Sequence, residues 1–291
     1  MSAAPAFAPD ETVFAALMRL KAALRTQGVE EAEAEARALL LAATGLSRAD
    51  FVLEPERRLG TGAAARLEDF AKRRAAREPA SRILGARGFW TLELKVAPGV
   101  LDPRADTETV VALALRLLKD RRAEPLSILD LGSGSGAILC ALLSELPAAR
   151  GVGVDISPVA CQATRANLAR SGVGDRGAAL CGSWAEAIFA SFDLVVSNPP
   201  YIRSSDIAAL APEVALHDPR TALDGGRDGL LCYRRMIPDL PRLLRRGGVA
   251  VLEAGVGQAP EIAEVMRGVG LTVAGVEPDL GGRERAVAAV W

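Results

Sequence analysis

Histidine, cysteine and aromatic residues are scarce in this chain, and its charges nearly cancel. His217 is the single histidine, which rules out a multi-histidine metal centre and leaves any histidine-dependent triad only this residue. No metal is expected. The four cysteines (Cys140, Cys161, Cys181 and Cys232) are scattered without a Cys-x-x-Cys spacing. That pattern fits buried thiols in a reducing cytosol and not a disulfide framework. No apolar run approaches the ~20 residues of a membrane span. Met1 to Asp10 also lacks the charged start and apolar middle of a secretion signal. A cytoplasmic protein with no membrane partner is expected. A formal charge of −1 provides no general pull toward nucleic acid, whose binders carry a basic excess. Basic residues gather only locally, as Arg66, Lys72, Arg73, Arg74, Arg77, Arg82 and Arg87, and read as a solvated helix face.

What is present is ample core material. With 291 residues, half of them hydrophobic, the chain suits two domains. Residues 10 to about 80 read as helices only. Asp10 is placed to cap a first helix with Val13, Phe14, Leu17, Leu20 and Leu24 on its apolar face and Gly28 beyond its end. Glu30, Glu31 and Glu33 suit the start of a second helix closed by Gly45. A third runs from near Thr61 to the stop at Pro79. Phe89 to Val96 then alternates as one strand, with a turn at Ala97-Pro98-Gly99, so a β-hairpin connector is expected. Asp106 or Thr107 is positioned to cap the apolar helix that runs to about Lys119.

After Pro125 strand and helix alternate to the end. Strands are predicted at residues 126–131, 151–155, 177–181, 192–197, 248–254, 271–277 and 285–290, and helices near 136–146, 158–171, 228–245 and 258–269. This is an α/β pattern, a mostly parallel seven-stranded sheet with helices on both faces.

Two stretches carry chemistry. Asp130-Leu131-Gly132-Ser133-Gly134-Ser135-Gly136 is a strand end, a glycine-rich turn and a helix start, which lets backbone N–H groups approach a ligand. Asp155 ends the next strand, where a carboxylate commonly accepts ribose hydroxyls. The glycines alone also admit a dinucleotide enzyme. Phe192 to Ser197 is a buried strand that stops at Asn198-Pro199-Pro200-Tyr201. Two prolines stiffen that exit and take it out of the sheet. Such a corner offers two acceptors, the Asn198 side-chain oxygen and the Pro199 carbonyl, to an NH₂ group with two hydrogens. An amide or aryl-amine nitrogen is a poor nucleophile, and a grip of this kind aims it at an electrophilic methyl. Tyr201 is expected to lay its ring on the planar substrate group. Adenine N6, cytosine N4 and the glutamine side chain all satisfy this logic. The missing basic excess and the absence of a target-reading insertion favour glutamine and no direct nucleic-acid substrate.

Over nearly its whole length the chain resembles the release-factor glutamine methyltransferases, the HemK/PrmC group of class I S-adenosylmethionine-dependent methyltransferases. The resemblance rests on Pro103 to Glu108, Asp130 to Gly136, Asp155, Gly182-Ser183-Trp184, Ser197 to Ile202 and Asp279 to Arg285. It implies a Rossmann-like methyltransferase domain at 104–291, a hairpin linker at 85–103 and a helical substrate-docking domain at 1–84. Gly132, Ser133, Gly134, Ser135, Gly136, Asp155, Trp184 and Asn198 are implied to hold S-adenosylmethionine. Asn198, Pro199, Pro200 and Tyr201 are implied to bind the substrate glutamine, with Asn198, Pro199 and Tyr201 catalytic. The implied reaction is N5-methylation of the glutamine in the Gly-Gly-Gln motif of class 1 peptide chain release factors. Glutamine methylation of a ribosomal protein is the nearest alternative, followed by a nucleobase methyltransferase acting on adenine N6. A cofactor-binding module without turnover has no use for an NH₂ clamp. One departure from the family pattern stands out: Ala105 replaces the second proline of Ile-Pro-Arg-Pro, which frees the loop around Arg104 and Glu108.

Overall fold

A computed structural model describes residues 4–291, and the chain divides into two compact units between Gly85 and Ala86. The first is all helical, with helices at Val13–Thr26, Ala32–Thr44, Arg48–Leu53, Gly60–Ala75 and Ala80–Leu84. Leu17, Leu20, Leu24, Leu39, Leu40 and Leu67 form its core. The cap of the first helix is Thr12 and not Asp10: its hydroxyl accepts from the Ala15 N–H at 3.1 Å, satisfying a donor with no intrahelical partner. Gly45 closes the second helix in the left-handed region, as its position suggests. Phe14 is half exposed, so the buried stripe runs through Ala16 instead.

The basic stretch is largely spent on internal ties. Lys72 pairs with Glu68 at 2.7 Å, Arg73 with Glu78 at 2.6 Å and the buried Arg74 with Glu35 at 2.6 Å. Arg66 Nε donates to the Ala43 carbonyl at 2.8 Å.

The second unit opens with an antiparallel hairpin, β1 (Ala86–Phe89) and β2 (Leu92–Lys95). Its turn falls at Trp90 and Thr91, several residues before the expected one. Trp90 takes the left-handed backbone (φ 56°), disfavoured outside glycine. Two hydrogen bonds hold it there: its N–H donates to Glu108 Oε1 at 2.7 Å and its indole N–H to Glu145 Oε1 at 2.8 Å. Glu108 is thereby a structural acceptor.

Seven strands follow: β3 (Ser127–Leu131), β4 (Arg150–Asp155), β5 (Gly177–Cys181), β6 (Phe192–Ser197), β7 (Leu244–Glu253), β8 (Thr272–Pro278) and β9 (Glu284–Val290). They form one sheet in the order β5-β4-β3-β6-β7-β9-β8, parallel except for β9, which pairs antiparallel to both neighbours. The side-chain period of two splits the core into two layers. Ile128, Leu194, Val196, Val249 and Val251 face helices 108–117 and 137–145, while Leu129, Val195, Ala250 and Leu252 face the opposite helices. The expected single helix at 228–245 is broken into Leu231–Met236 and Leu240–Leu243, because Pro238 and Pro241 remove amide donors. Among the described residues no helix is long and apolar enough to cross a membrane.

Candidate active site

The chain lays β3, β4 and β5 outward in one direction, then crosses back to set β6 against the other side of β3. That reversal makes a crevice at the carboxyl ends of β3 and β6, where open α/β sheets bind ligands. Leu131 and Ser197 are paired there, and Ser197 Oγ donates to the Leu131 carbonyl at 2.6 Å. The glycine-rich turn and the Asn-Pro-Pro-Tyr corner therefore leave the sheet side by side. A cavity of about 690 Å³ opens above them.

Gly132, Ser133, Gly134 and Ser135 line this cavity, and the helix at Ala137–Glu145 starts directly after them. Gly136 has a φ of 79°, and a Cβ there would stand 2.9 Å from Thr164 Cγ2. Helix Pro158–Arg170 braces the turn from behind. Thr164 Oγ1 donates to the Gly134 carbonyl at 3.0 Å, and the buried Asn167 donates to the Ser135 carbonyl at 2.9 Å. Reading the sequence missed both braces, although two buried polar residues three apart on one helix were the available signal. Asp155 is held by two backbone donors, Gly134 N–H at 2.8 Å on Oδ2 and Ser157 N–H at 2.9 Å on Oδ1. Each oxygen keeps a further lone pair for a ligand. Trp184 lines the same cavity in a left-handed conformation (φ 45°), close to the place a Cβ on Gly132 would occupy. Strain of this kind on a bulky residue concentrates at ligand sites.

On the β6 side, Asn198 and Pro200 line the cavity; Pro199 is buried and does not. Asn198 Nδ2 donates to Thr107 Oγ1 at 3.0 Å, and its Oδ1 accepts from no donor among the described residues. The acceptor end of the carboxamide is left for a ligand. Thr107, expected as a helix cap, makes no capping bond and points at Asn198 instead. Tyr201 is also placed differently from expectation. Its ring packs with the buried layer around Tyr233 and Leu252, off the cavity lining, and its hydroxyl donates to Glu253 Oε1 at 3.2 Å. Burial raises the Tyr201 phenol well above its ordinary value.

The corner has a backing that the sequence did not reveal. Ile202 N–H donates to the Leu223 carbonyl at 3.0 Å and Gly225 N–H to the Ile202 carbonyl at 2.8 Å. Gln258 Nε2 donates to the Tyr201 carbonyl at 3.0 Å. A Cβ on Gly225 would lie 2.8 Å from Tyr201 Cα. Over the mouth, Arg104 lines the cavity and pairs with the buried Asp218. His217 ends the short helix Pro212–His217 and stays off the lining.

A family model described as the PrmC N-terminal domain matches residues 15–85, and one described as a methyltransferase small domain matches residues 96–248. A release factor glutamine methyltransferase of Caulobacter vibrioides is 41% identical over 280 residues, 96% of each chain. One of Bradyrhizobium diazoefficiens is 44% identical over 281 residues, 96% of this chain and 95% of the relative. The chain belongs to the release factor glutamine methyltransferase family. A methyltransferase structure from Pyrococcus furiosus shares the fold, with a TM-score of 0.50 at 16% identity over 68% of this chain and 88% of the other.

The buried carboxyls of Asp130 and Glu253 lack full hydrogen-bond partners. Both Asp130 oxygens and Glu253 Oε2 accept no hydrogen bond of normal geometry among the described residues. Burial, with the nearby Asp155 carboxylate, pushes Asp130 from an ordinary 3.8 up to about 7. Burial likewise raises Glu253 from 4.5 to about 7, against the pull of Thr107, Arg285 and Tyr201. The native state keeps these protons to a higher pH than the unfolded chain does. Both groups therefore cost stability as pH rises from about 4 to about 7. Thermal melts of Asp130→Asn should show a smaller fall in Tm between pH 5 and pH 8 than the unaltered protein shows. An equal fall in both would place the titrating group elsewhere.

Proposed function

We propose that this chain transfers a methyl group from S-adenosylmethionine to the side-chain amide nitrogen, N5, of the glutamine in the Gly-Gly-Gln motif of class 1 peptide chain release factors. One observation carries the reading. The Asn198 carboxamide stands at the cavity beside the glycine-rich turn, with its NH₂ committed to Thr107 and its oxygen uncommitted. An acceptor so fixed suits a substrate that presents NH₂. The release factor glutamine methyltransferases of the two bacteria above support the choice of glutamine.

The donor site fits S-adenosylmethionine on its own chemistry. Glycine N–H groups and a helix start suit the polar methionine end, the Asp155 oxygens suit a ribose diol, and Trp184 offers an apolar face for a base. When bound, that group supplies an electrophilic methyl on a sulfonium and leaves as neutral S-adenosylhomocysteine. Asn198 Oδ1 takes a hydrogen of the substrate amide, orients its nitrogen in line and supports the positive charge growing on it, while the buried Pro199 stiffens the corner that carries it. Pro200 limits the space beside the corner, and the surplus proton passes to water. Tyr201 holds the corner from behind. Among the described residues no cluster of side chains is suited to hold a metal, and methyl transfer from a sulfonium needs none. The helical unit, residues 1–84, takes up the remainder of the release factor, and the reaction belongs to the cytoplasm.

Incubation with methyl-labelled S-adenosylmethionine and purified release factor, ribosomal protein or DNA tests this directly. Label should enter the release factor alone and disappear when the glutamine of Gly-Gly-Gln is changed to alanine. Label in ribosomal protein or DNA instead would overturn the substrate.

A further inference from the structure

The Asn198 to Tyr201 corner is short and stiff, so where it points is set by what holds its two ends. Upstream, β6 is tied to β3, with Ser197 Oγ donating to the Leu131 carbonyl. Between Asn198 and Tyr201 stand only Pro199 and Pro200, whose rings fix φ. A displacement of Tyr201 finds little slack before it reaches Asn198.

The downstream end is held by Gln258. This residue stands at the start of the helix Ala259–Gly268, yet its side chain makes no capping bond. It reaches back to the sheet instead. Its Nε2 donates to the Tyr201 carbonyl at 3.0 Å, and its Oε1 accepts the Gly255 N–H at 3.0 Å. Its own backbone N–H donates to the Gly255 carbonyl at 3.0 Å. Main chain and side chain of Gln258 are thus both tied to the segment leaving β7. The polarity of each end is dictated, since a carbonyl demands a donor and an N–H demands an acceptor. A carboxamide meets both demands; a carboxylate meets one and a thioether neither. The space is cut to the same shape. A Cβ on Gly255 would stand 2.6 Å from Gln258 Oε1, and one on Gly229 would run into Nε2. The ties of Ile202 to Leu223 and Gly225 join the corner to the neighbouring loop, whereas Gln258 joins it to the end of the sheet.

We propose that Gln258 is a positioning residue for the methyl transfer: by bracing the Tyr201 carbonyl against the end of β7, it sets the angle at which Asn198 offers its oxygen to the substrate amide. This rests on Asn198 being the amide clamp. Gln258 is off the cavity lining, so its influence passes through the corner.

Kinetics of release-factor methylation by Gln258→Met and Gln258→Glu test the assignment. Methionine keeps the length and bonds to neither group; glutamate keeps the Gly255 bond and sets a carboxylate against the Tyr201 carbonyl. Each should lower kcat by roughly ten- to a hundredfold, with the KM for S-adenosylmethionine changed less than about threefold. Added to Asn198→Ala, Gln258→Met should cost less than about twofold more, because both changes act through one carboxamide. A merely structural role would cost its full factor again. If Gln258→Met fails to fold in a thermal melt, Gln258→Glu carries the same comparison. A normal kcat in the single variants, a cofactor KM that rises with the loss, or losses that multiply fully in the double variant would overturn the proposal. An Asn198→Ala enzyme that transfers at the normal rate would defeat the clamp itself, which is a different result.

Discussion

Asn198→Ala should lower kcat for release-factor methylation by roughly a hundred- to a thousandfold, the range for loss of one preorganised hydrogen-bonding group at a reacting centre. Cofactor affinity, read by calorimetry, should change by less than about threefold, since Gly132 to Ser135 and Asp155 are held by partners other than Asn198. The reason for so lopsided an effect is geometric. Asn198 takes its orientation from Thr107 and offers its oxygen to the cavity, so removing it takes away aim and charge support together. Lost cofactor affinity with an intact transfer rate would show that the clamp lies elsewhere.

Gly229→Ala should also be damaging, by a different route. Gly229 has a φ of 81°, and a Cβ there would lie 2.4 Å from both the Tyr201 carbonyl oxygen and Gln258 Nε2. The left-handed conformation costs an alanine roughly 1–2 kcal/mol, and forced overpacking about 1–3 more. Of the two neighbours only the glutamine can swing away, because the carbonyl belongs to the rigid corner. Tm should drop by several degrees, on the order of 2–4 °C per kcal/mol for a chain of this size. The kcat should fall at least about tenfold as Tyr201 and the corner shift. A Gly229→Ala enzyme with normal Tm and rate would show that the corner yields more than its prolines suggest.

Much of the architecture was legible because its signals are local. All seven sheet strands lie within a few residues of their predicted positions, since continuous apolar runs ending at Gly132, Asp155 or Asn198 are written in the chain itself. The missed features depend on long-range partners. Nothing near Trp90 announces a turn; it forms because Glu108 and Glu145, distant in the chain, accept its two hydrogens. Thr107 read as a helix cap, and only the arrival of the β6 exit gives its hydroxyl a partner in Asn198. Tyr201 read as a platform for substrate, but Glu253 and the core layer draw it inward.

The sequence by itself determined the class of sheet, the glycine-rich turn, the stiff Asn-Pro-Pro exit and hence the kind of chemistry, because apolar periodicity and proline and glycine geometry act over a few residues. Tertiary structure alone decided which end of the Asn198 carboxamide faces the cavity and what stands behind it. That choice is made by hydrogen bonds between elements up to 91 positions apart, which no local pattern encodes.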